Sequence, residues 1–376
     1  MNQVDNSFLQ LMRIALGNAT RFCSPLSVEE WKWLLDMSAK QGVVGVAFSG
    51  VERLPKEQMP PLKILMDWLA VVRYIESENR HLNRVYVKVS EMFERDGKRA
   101  CIIKGASVGV LYPEPLRRQF GDVDVWMAGG YKAVIKYVRQ KFPNVNGGHY
   151  GRHIEIEKDG VLVEVHFMPA ELYNVQHYKY LQNFYREIEA EPWNCRATLY
   201  EGGSIVVPKL SDSLIIVVVH LFSHLAVEGV GMKQVVDCYW LLKALDKSVE
   251  EGTADGLMCN GKSANEIRME SMAFFRKLGI GRFVAALMYV LQQLGIDETQ
   301  MLCVPDVKLG KRLLDEILDT GTVSVDELVT GKYGNESKLH RLYRRFRRAL
   351  RLMPMAPSEM FWMLYSGISY WILRKK

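Results

Sequence analysis

Candidate chemistry concentrates in three carboxylates. Asp122 and Asp124 stand two apart in Arg118-Gln119-Phe120-Gly121-Asp122-Val123-Asp124-Val125. Side chains alternate along a strand, so the two aspartates share one face and Val123 and Val125 take the other. Carboxylates about 7 Å apart on a strand repel, and divalent cations placed between them relieve the repulsion. Phosphoryl-transfer sites use that arrangement to hold Mg²⁺ against a triphosphate. The third carboxylate lies in Val161-Leu162-Val163-Glu164-Val165-His166-Phe167, whose odd positions are all apolar. The pattern puts Glu164 and His166 together on the face away from the core. If this strand pairs beside the first, three carboxylates converge into a two-metal site, with a carboxylate near enough to take a proton from an attacking hydroxyl.

The turn Gly105-Ala106-Ser107 supplies the expected other half. Small residues between a strand and a helix let backbone N–H groups approach a phosphate, and a helix N-terminus favours negative charge. Lys104 reads either as a point charge for that phosphate or as an exposed strand-end lysine. Arg118 offers a phosphate-binding fork or a structural partner for Asp122 or Asp124. His166 is either a hydrogen-bonded structural histidine or a catalytic one. His220 and His224 are four apart on an expected helix, a spacing able to share a metal. The Glu of the H-E-x-x-H pattern is missing between them, so the preferred reading has them line the interface of nucleotide site and helices. Asp237 is a buried partner of that cluster or a substrate contact.

The order K-G-A, Y-P (Tyr112-Pro113), R-x-x-x-D-x-D, V-E-V-H-F, H-L-F-S-H and G-M-K-Q-V-V-D (Gly231 to Asp237) resembles a bacterial family of uncharacterised nucleotidyltransferases in the DNA polymerase beta-like superfamily. The resemblance runs from about Ile102 to Leu241. It implies metal-dependent transfer of a nucleotidyl group from an NTP, with Gly105 and Ala106 holding the triphosphate and Asp122, Asp124 and Glu164 binding Mg²⁺, or Mn²⁺ in its place. The sequence departs from the superfamily pattern in having Ala106 after Gly105, with Ser107 one place later, and in a longer interval to Asp122. Lys233 stands where the family leads one to expect Arg.

The elements around these motifs divide the chain in three. Residues 1–99 read as helical, most clearly after Pro60-Pro61, where Leu62, Leu65, Met66, Leu69 and Val72 recur at helical steps until Gly97. Residues 100–208 carry short β-rich runs: Ala100 to Ile103, Val123 to Met127, a hairpin from Ile154 through Asp159-Gly160 to Phe167, and another from Ala197 to Val207. Residues 209–376 return to the helical period, with helices expected over Ser211 to Ala226, Lys233 to Leu245, Ala264 to Leu294, Lys308 to Leu318 and Lys338 to Leu352. The expected fold is α+β, a small mixed-sheet nucleotidyltransferase core between helical N- and C-terminal parts.

Composition narrows the classes. The 376 residues are 48% hydrophobic and 24% charged, enough to bury a sizeable core and unlike a disordered or fibrous chain. Six scattered cysteines without a CxxC pair suit a reducing compartment, and no secretory signal is evident, so the expected location is cytoplasmic. The best membrane candidate, Met360 to Leu373, falls short of the roughly 20 residues a bilayer requires and reads as a buried or interfacial helix. The net charge of +6 is uneven: Asn335 to Lys376 holds ten basic and two acidic residues, and the rest is slightly acidic. A helix with Leu339, Leu342, Phe346, Leu350 and Met353 on one side and arginines around them fits a solvated face over a packed stripe. It also fits a lean against anionic lipid, giving a membrane-peripheral location, or a nucleic-acid contact. The function that follows is Mg²⁺-dependent transfer of an NMP group to a hydroxyl of an acceptor that is a small molecule, a saccharide or a protein. The alternative is a catalytically degenerate nucleotide-binding or partner-binding module.

Overall fold

The computed structural model describes residues 3–119, 121–143, 151–250, 262–320 and 346–373. The chain starts with α1 (Gln3–Ala15), α2 (Val28–Lys40), α3 (Val44–Glu52) and the long α4 (Leu62–Arg95). Ser27 and Glu30 close a reciprocal capping box at the start of α2, satisfying two otherwise orphaned amides. Four strands follow, β1 (Ala100–Ile102), β2 (Val123–Met127), β3 (His153–Lys158) and β4 (Val161–His166). The single-turn α5 (Ala106–Gly109) precedes β2, and α6 (Gly130–Lys141) lies between β2 and β3. Next come α7 (Val175–Ala190) and a separate ribbon of β5 (Arg196–Thr198) and β6 (Ser204–Val206). The helices α8 (Leu210–Val227), α9 (Met232–Glu250), α10 (Ala264–Lys277), α11 (Gly281–Gln293), α12 (Val307–Asp319) and α13 (Pro357–Leu373) complete the fold.

The four-stranded sheet runs β1-β2-β4-β3, with β2 and β4 parallel and both outer strands antiparallel to their neighbours. It is the mixed sheet the sequence leads one to expect. The register of β2 on β4 sets Asp124 opposite Glu164 and Trp126 opposite His166. One sheet face, with Val123, Val125, Val163 and Val165, packs on the second half of α4, on α6 and on the β5-β6 ribbon. A larger core joins the N-terminal helices and the first half of α4 to α8, α9, α11 and α12, and takes in Trp126 from the sheet's other face. Gln41, after α2, ties the two ends of the chain together: its Oε1 accepts from the Met232 amide at 2.9 Å and its Nε2 donates to the Ile317 carbonyl at 2.9 Å.

Several expectations need correction. The helix expected over Ala264 to Leu294 is two, because Gly279 takes φ +71° and a side chain there would collide with the His177 ring. Helices α6 and α7 were not anticipated. The apolar helix longest in membrane terms is α8, not Met360 to Leu373. It is long and apolar enough to cross a bilayer, yet 72% of it is buried inside the fold, as a core helix would be. Of the expected helix Lys338 to Leu352, residues 346–352 are helical, and 338–345 lie outside the described residues together with Leu339, Leu342, Arg341, Arg344 and Arg345. Its packed face is also different: Ala349 and Leu352 are buried, Phe346 and Leu350 are exposed, and Arg348 is buried on Glu316 at 3.0 Å.

Candidate active site

The three carboxylates converge. Asp122 stands just ahead of β2, Asp124 is its second residue, and Glu164 lies beside it on β4. Their oxygens all fall within 4.8 Å of one another. They line one side of a cavity of about 360 Å³ between the sheet and helices α8 and α9. Asp124 is buried, and its Oδ1 takes both the Lys104 ammonium at 2.6 Å and His166 Nε2 at 2.8 Å. Glu164 Oε2 faces His166 Nε2 at 3.1 Å and His153 Nδ1 at 3.3 Å.

The charges settle unequally. The Asp124 carboxylate beside it pushes Asp122 up to about 6, and because Asp122 is exposed at the cavity mouth that repulsion is the cause that counts. Burial alone would raise Asp124, but Lys104 and the His166 hydrogen bond outweigh it and hold the carboxyl below its ordinary range. Glu164 is likewise held low, burial being offset by its bond from His166. Burial pushes His153 down to about 4, so its ring is neutral near pH 7.

The opposite wall is basic and imidazole-rich. Lys104 Nζ lies 3.2 Å from His220 Nε2, the His220 and His224 rings are 4.2 Å apart, and Arg152 Nη2 lies 3.0 Å from His224 Nε2. Burial, with Lys104 and His224 adjoining, lowers His220 far below its ordinary value, so it is a neutral acceptor for the ammonium. Lys233, on α9, lines the same cavity, and burial with Arg118 nearby lowers it to about 8.

Arg118 pairs with neither Asp122 nor Asp124. Its Nε and Nη2 grip the two oxygens of Asp237 on α9, each at 2.8 Å, and Tyr112 donates its hydroxyl to Asp237 Oδ1 at 2.6 Å. Asp237 is thus the buried partner of a fork that also borders the cavity. The turn after β1 is arranged differently from a phosphate cradle at a helix start. Gly105 reaches the cavity, whereas Ala106 lines a narrow cleft on its other side and Ser107 is buried. The Ser107 amide and hydroxyl both donate to the Lys104 carbonyl, and α5 is only four residues long. Gly105 has φ +61°, and a Cβ there would run into the Tyr86 hydroxyl, which donates to the Asp122 carbonyl at 3.2 Å.

Sequence reasoning missed Arg152, His153 and Tyr86. A signal for His153 was present: a two-residue Asp159-Gly160 turn fixes the hairpin register and places His153 opposite His166, as observed.

No curated protein matches the chain. A solved structure, described as an antigenic nucleotidyltransferase-like protein from Paracoccidioides brasiliensis, is 14% identical, covers 43% of this chain and 76% of its own, and superposes with a TM-score of 0.27, too low to carry any argument about the site. The model of a family described as "uncharacterised nucleotidyltransferase" matches residues 27–255, well over half of the chain and inclusive of every cavity residue named above. The chain therefore belongs to that family of uncharacterised nucleotidyltransferases.

Proposed function

We propose that the chain moves an NMP group from an NTP to a hydroxyl of an acceptor, with divalent cations, Mg²⁺ or Mn²⁺, held by Asp122, Asp124 and Glu164. The observation that carries the reading is the convergence of three carboxylates within 4.8 Å at a cavity with a basic far wall. Hard oxygen donors suit these cations, and the repulsion that raises Asp122 is the strain a cation relieves. Bound there, the cations would neutralise charge on the triphosphate and acidify the attacking hydroxyl.

The residues divide the remaining work. Lys233, Arg152 and Gly105 border the space a polyphosphate would fill, and Lys104 keeps Asp124 ionised. The acceptor oxygen bonds to the α-phosphorus, the bond from that phosphorus to the bridging oxygen breaks, and pyrophosphate leaves with the electron pair. The hydroxyl proton goes to a carboxylate oxygen at the edge of the triad. The acceptor is a small molecule, a saccharide or a protein.

A second reading has an observation of its own. The Lys104 ammonium already neutralises Asp124, and Asp237 occupies the Arg118 fork, an arrangement in which a nucleotide could be held without turnover. Calorimetric NTP binding with and without Mg²⁺, followed by pyrophosphate release across an acceptor panel, separates the two. Transfer predicts release that Asp122→Asn or Asp124→Asn lowers by about 100-fold or more with the fold intact. Wild-type turnover in either variant refutes it, and Mg²⁺-dependent binding without release on any acceptor favours the binding module.

A further inference from the structure

Beside the carboxylate triad lies a second ligand set that shares only Glu164 with it. His153 on β3 and His166 on β4 are cross-strand partners, and Glu164 sits two residues before His166 on the same face. One ligand atom from each lies within 4.8 Å of the other two. Two edges of that triangle are tighter: His166 Nε2 to Glu164 Oε2 is 3.1 Å and His153 Nδ1 to Glu164 Oε2 is 3.3 Å. Metal–ligand bonds of about 2.0–2.1 Å at tetrahedral angles separate ligand atoms by about 3.3 Å, which is the spacing of these two edges.

The surroundings point the same way. His166 is fully buried, its Nδ1 has no hydrogen-bond partner among the described residues, and its Nε2 faces Glu164 and Asp124. The other nitrogen of His153, Nε2, lies 3.7 Å from Glu155 Oε1, too long for a hydrogen bond but on the side away from Glu164. Two nitrogens and one carboxylate oxygen form a softer set than three carboxylates, and imidazole suits zinc-like cations better than magnesium.

We propose that His153, Glu164 and His166 form a transition-metal subsite, fused through Glu164 to the all-oxygen site of Asp122, Asp124 and Glu164. The cavity then holds unlike cations side by side: a zinc-class ion on mixed nitrogen and oxygen ligands, and a hard ion on oxygens. The inference deepens the proposed function by naming a second, chemically different cation, and it rests on that reading only for the role of the first.

The test uses the metal-free full-length protein, Zn²⁺ and Mg²⁺ calorimetry, and the visible spectrum of added Co²⁺. The wild type should bind Zn²⁺ more tightly than Mg²⁺ and give the intense bands of low-coordinate Co²⁺. His153→Gln should weaken Zn²⁺ and Co²⁺ by about tenfold or more while Mg²⁺ changes by less than about twofold. Asp122→Asn should do the reverse. Imidazole ¹⁵N shifts of His153 and His166 on Zn²⁺ addition to the wild type give a readout that needs no variant to fold. Unshifted imidazoles, or His153→Gln binding Zn²⁺ and Co²⁺ like the wild type, overturn the subsite and leave His166 a hydrogen-bond donor to two carboxylates. Metal binding as described in a protein that releases no pyrophosphate sinks the transfer reading and leaves the subsite standing.

Discussion

Lys104 and Asp122 mark the two ways this cavity manages excess negative charge. The first neutralises Asp124 permanently at 2.6 Å; the second stays partly protonated near neutrality. Lys104→Met removes the inner cation and strands a buried carboxylate, so metal-free stability should fall by about 3 kcal/mol in urea denaturation, with part of the loss restored by Mg²⁺. A raised carboxyl stabilises the fold fully below its unfolded value near 4, and that contribution is lost as pH rises through about 6. A cation must displace the Asp122 proton to bind. Mg²⁺ calorimetry at pH 6 in buffers of different ionisation heat should therefore report proton release, which vanishes at pH 8 and in Asp122→Asn. The triad was legible because D-x-D and V-E-V-H announce their own faces through strand alternation. The partnership of Arg118 with Asp237 was not, because 119 residues separate the two and only the packing of α9 against the turn after α5 brings them together.

Among the elements, the single-turn α5 and the long helix α4 set one limit of the candidate site. Tyr86 of α4 projects its hydroxyl against Gly105, and that close approach is feasible only without a Cβ. Gly105→Ala should cost about 2 kcal/mol from the combined clash and positive φ, and Tyr86→Phe in the same chain should recover part of it, read as a coupling energy in a double-mutant cycle. Strand elements were readable nearly to the residue where alternation and turn chemistry agree, as in β2 and the β3-β4 hairpin. Helices α6 and α7 escaped notice because they are amphipathic pieces set among β-rich runs. The arginine-bearing helix near the C-terminus was misjudged for a different reason: among the described residues its buried face joins Ala349 and Leu352 to an ion pair and leaves Phe346 and Leu350 outside. Arg348 and Arg351 converge on the two oxygens of Glu316, at 3.0 and 2.6 Å.

At the scale of the molecule, that pairing changes what the basic tail means. Among the described residues, Arg348 and Arg351 of its ten cations are engaged within the fold, on Glu316. The C-terminal helix is anchored just as firmly. Glu359 is fully buried, accepts the Tyr173 amide at 2.6 Å and faces His177 Nδ1 at 2.6 Å, which fastens α13 to the start of α7. Glu359→Ala should cost about 3 kcal/mol and lower the melting temperature of the whole chain in one transition, measured by calorimetry. A deletion meant to remove the tail's charge would remove this anchor too, so charge-reversal at exposed arginines is the cleaner test of any surface role. None of these ties could be read from composition, since each links residues more than 30 positions apart.

Helix α4 has one more implication. Its 34 residues, about 51 Å of continuous helix, begin in the core shared by the two ends of the chain and finish beneath the sheet. Trp68 and Val72 belong to the first core, Val85 and Phe93 to the second, and no break in the rod separates them. The sheet that carries the candidate site is therefore not portable: cut out at residue 99, it would lose the helix that floors it along with the Tyr86 hydroxyl that backs its glycine turn.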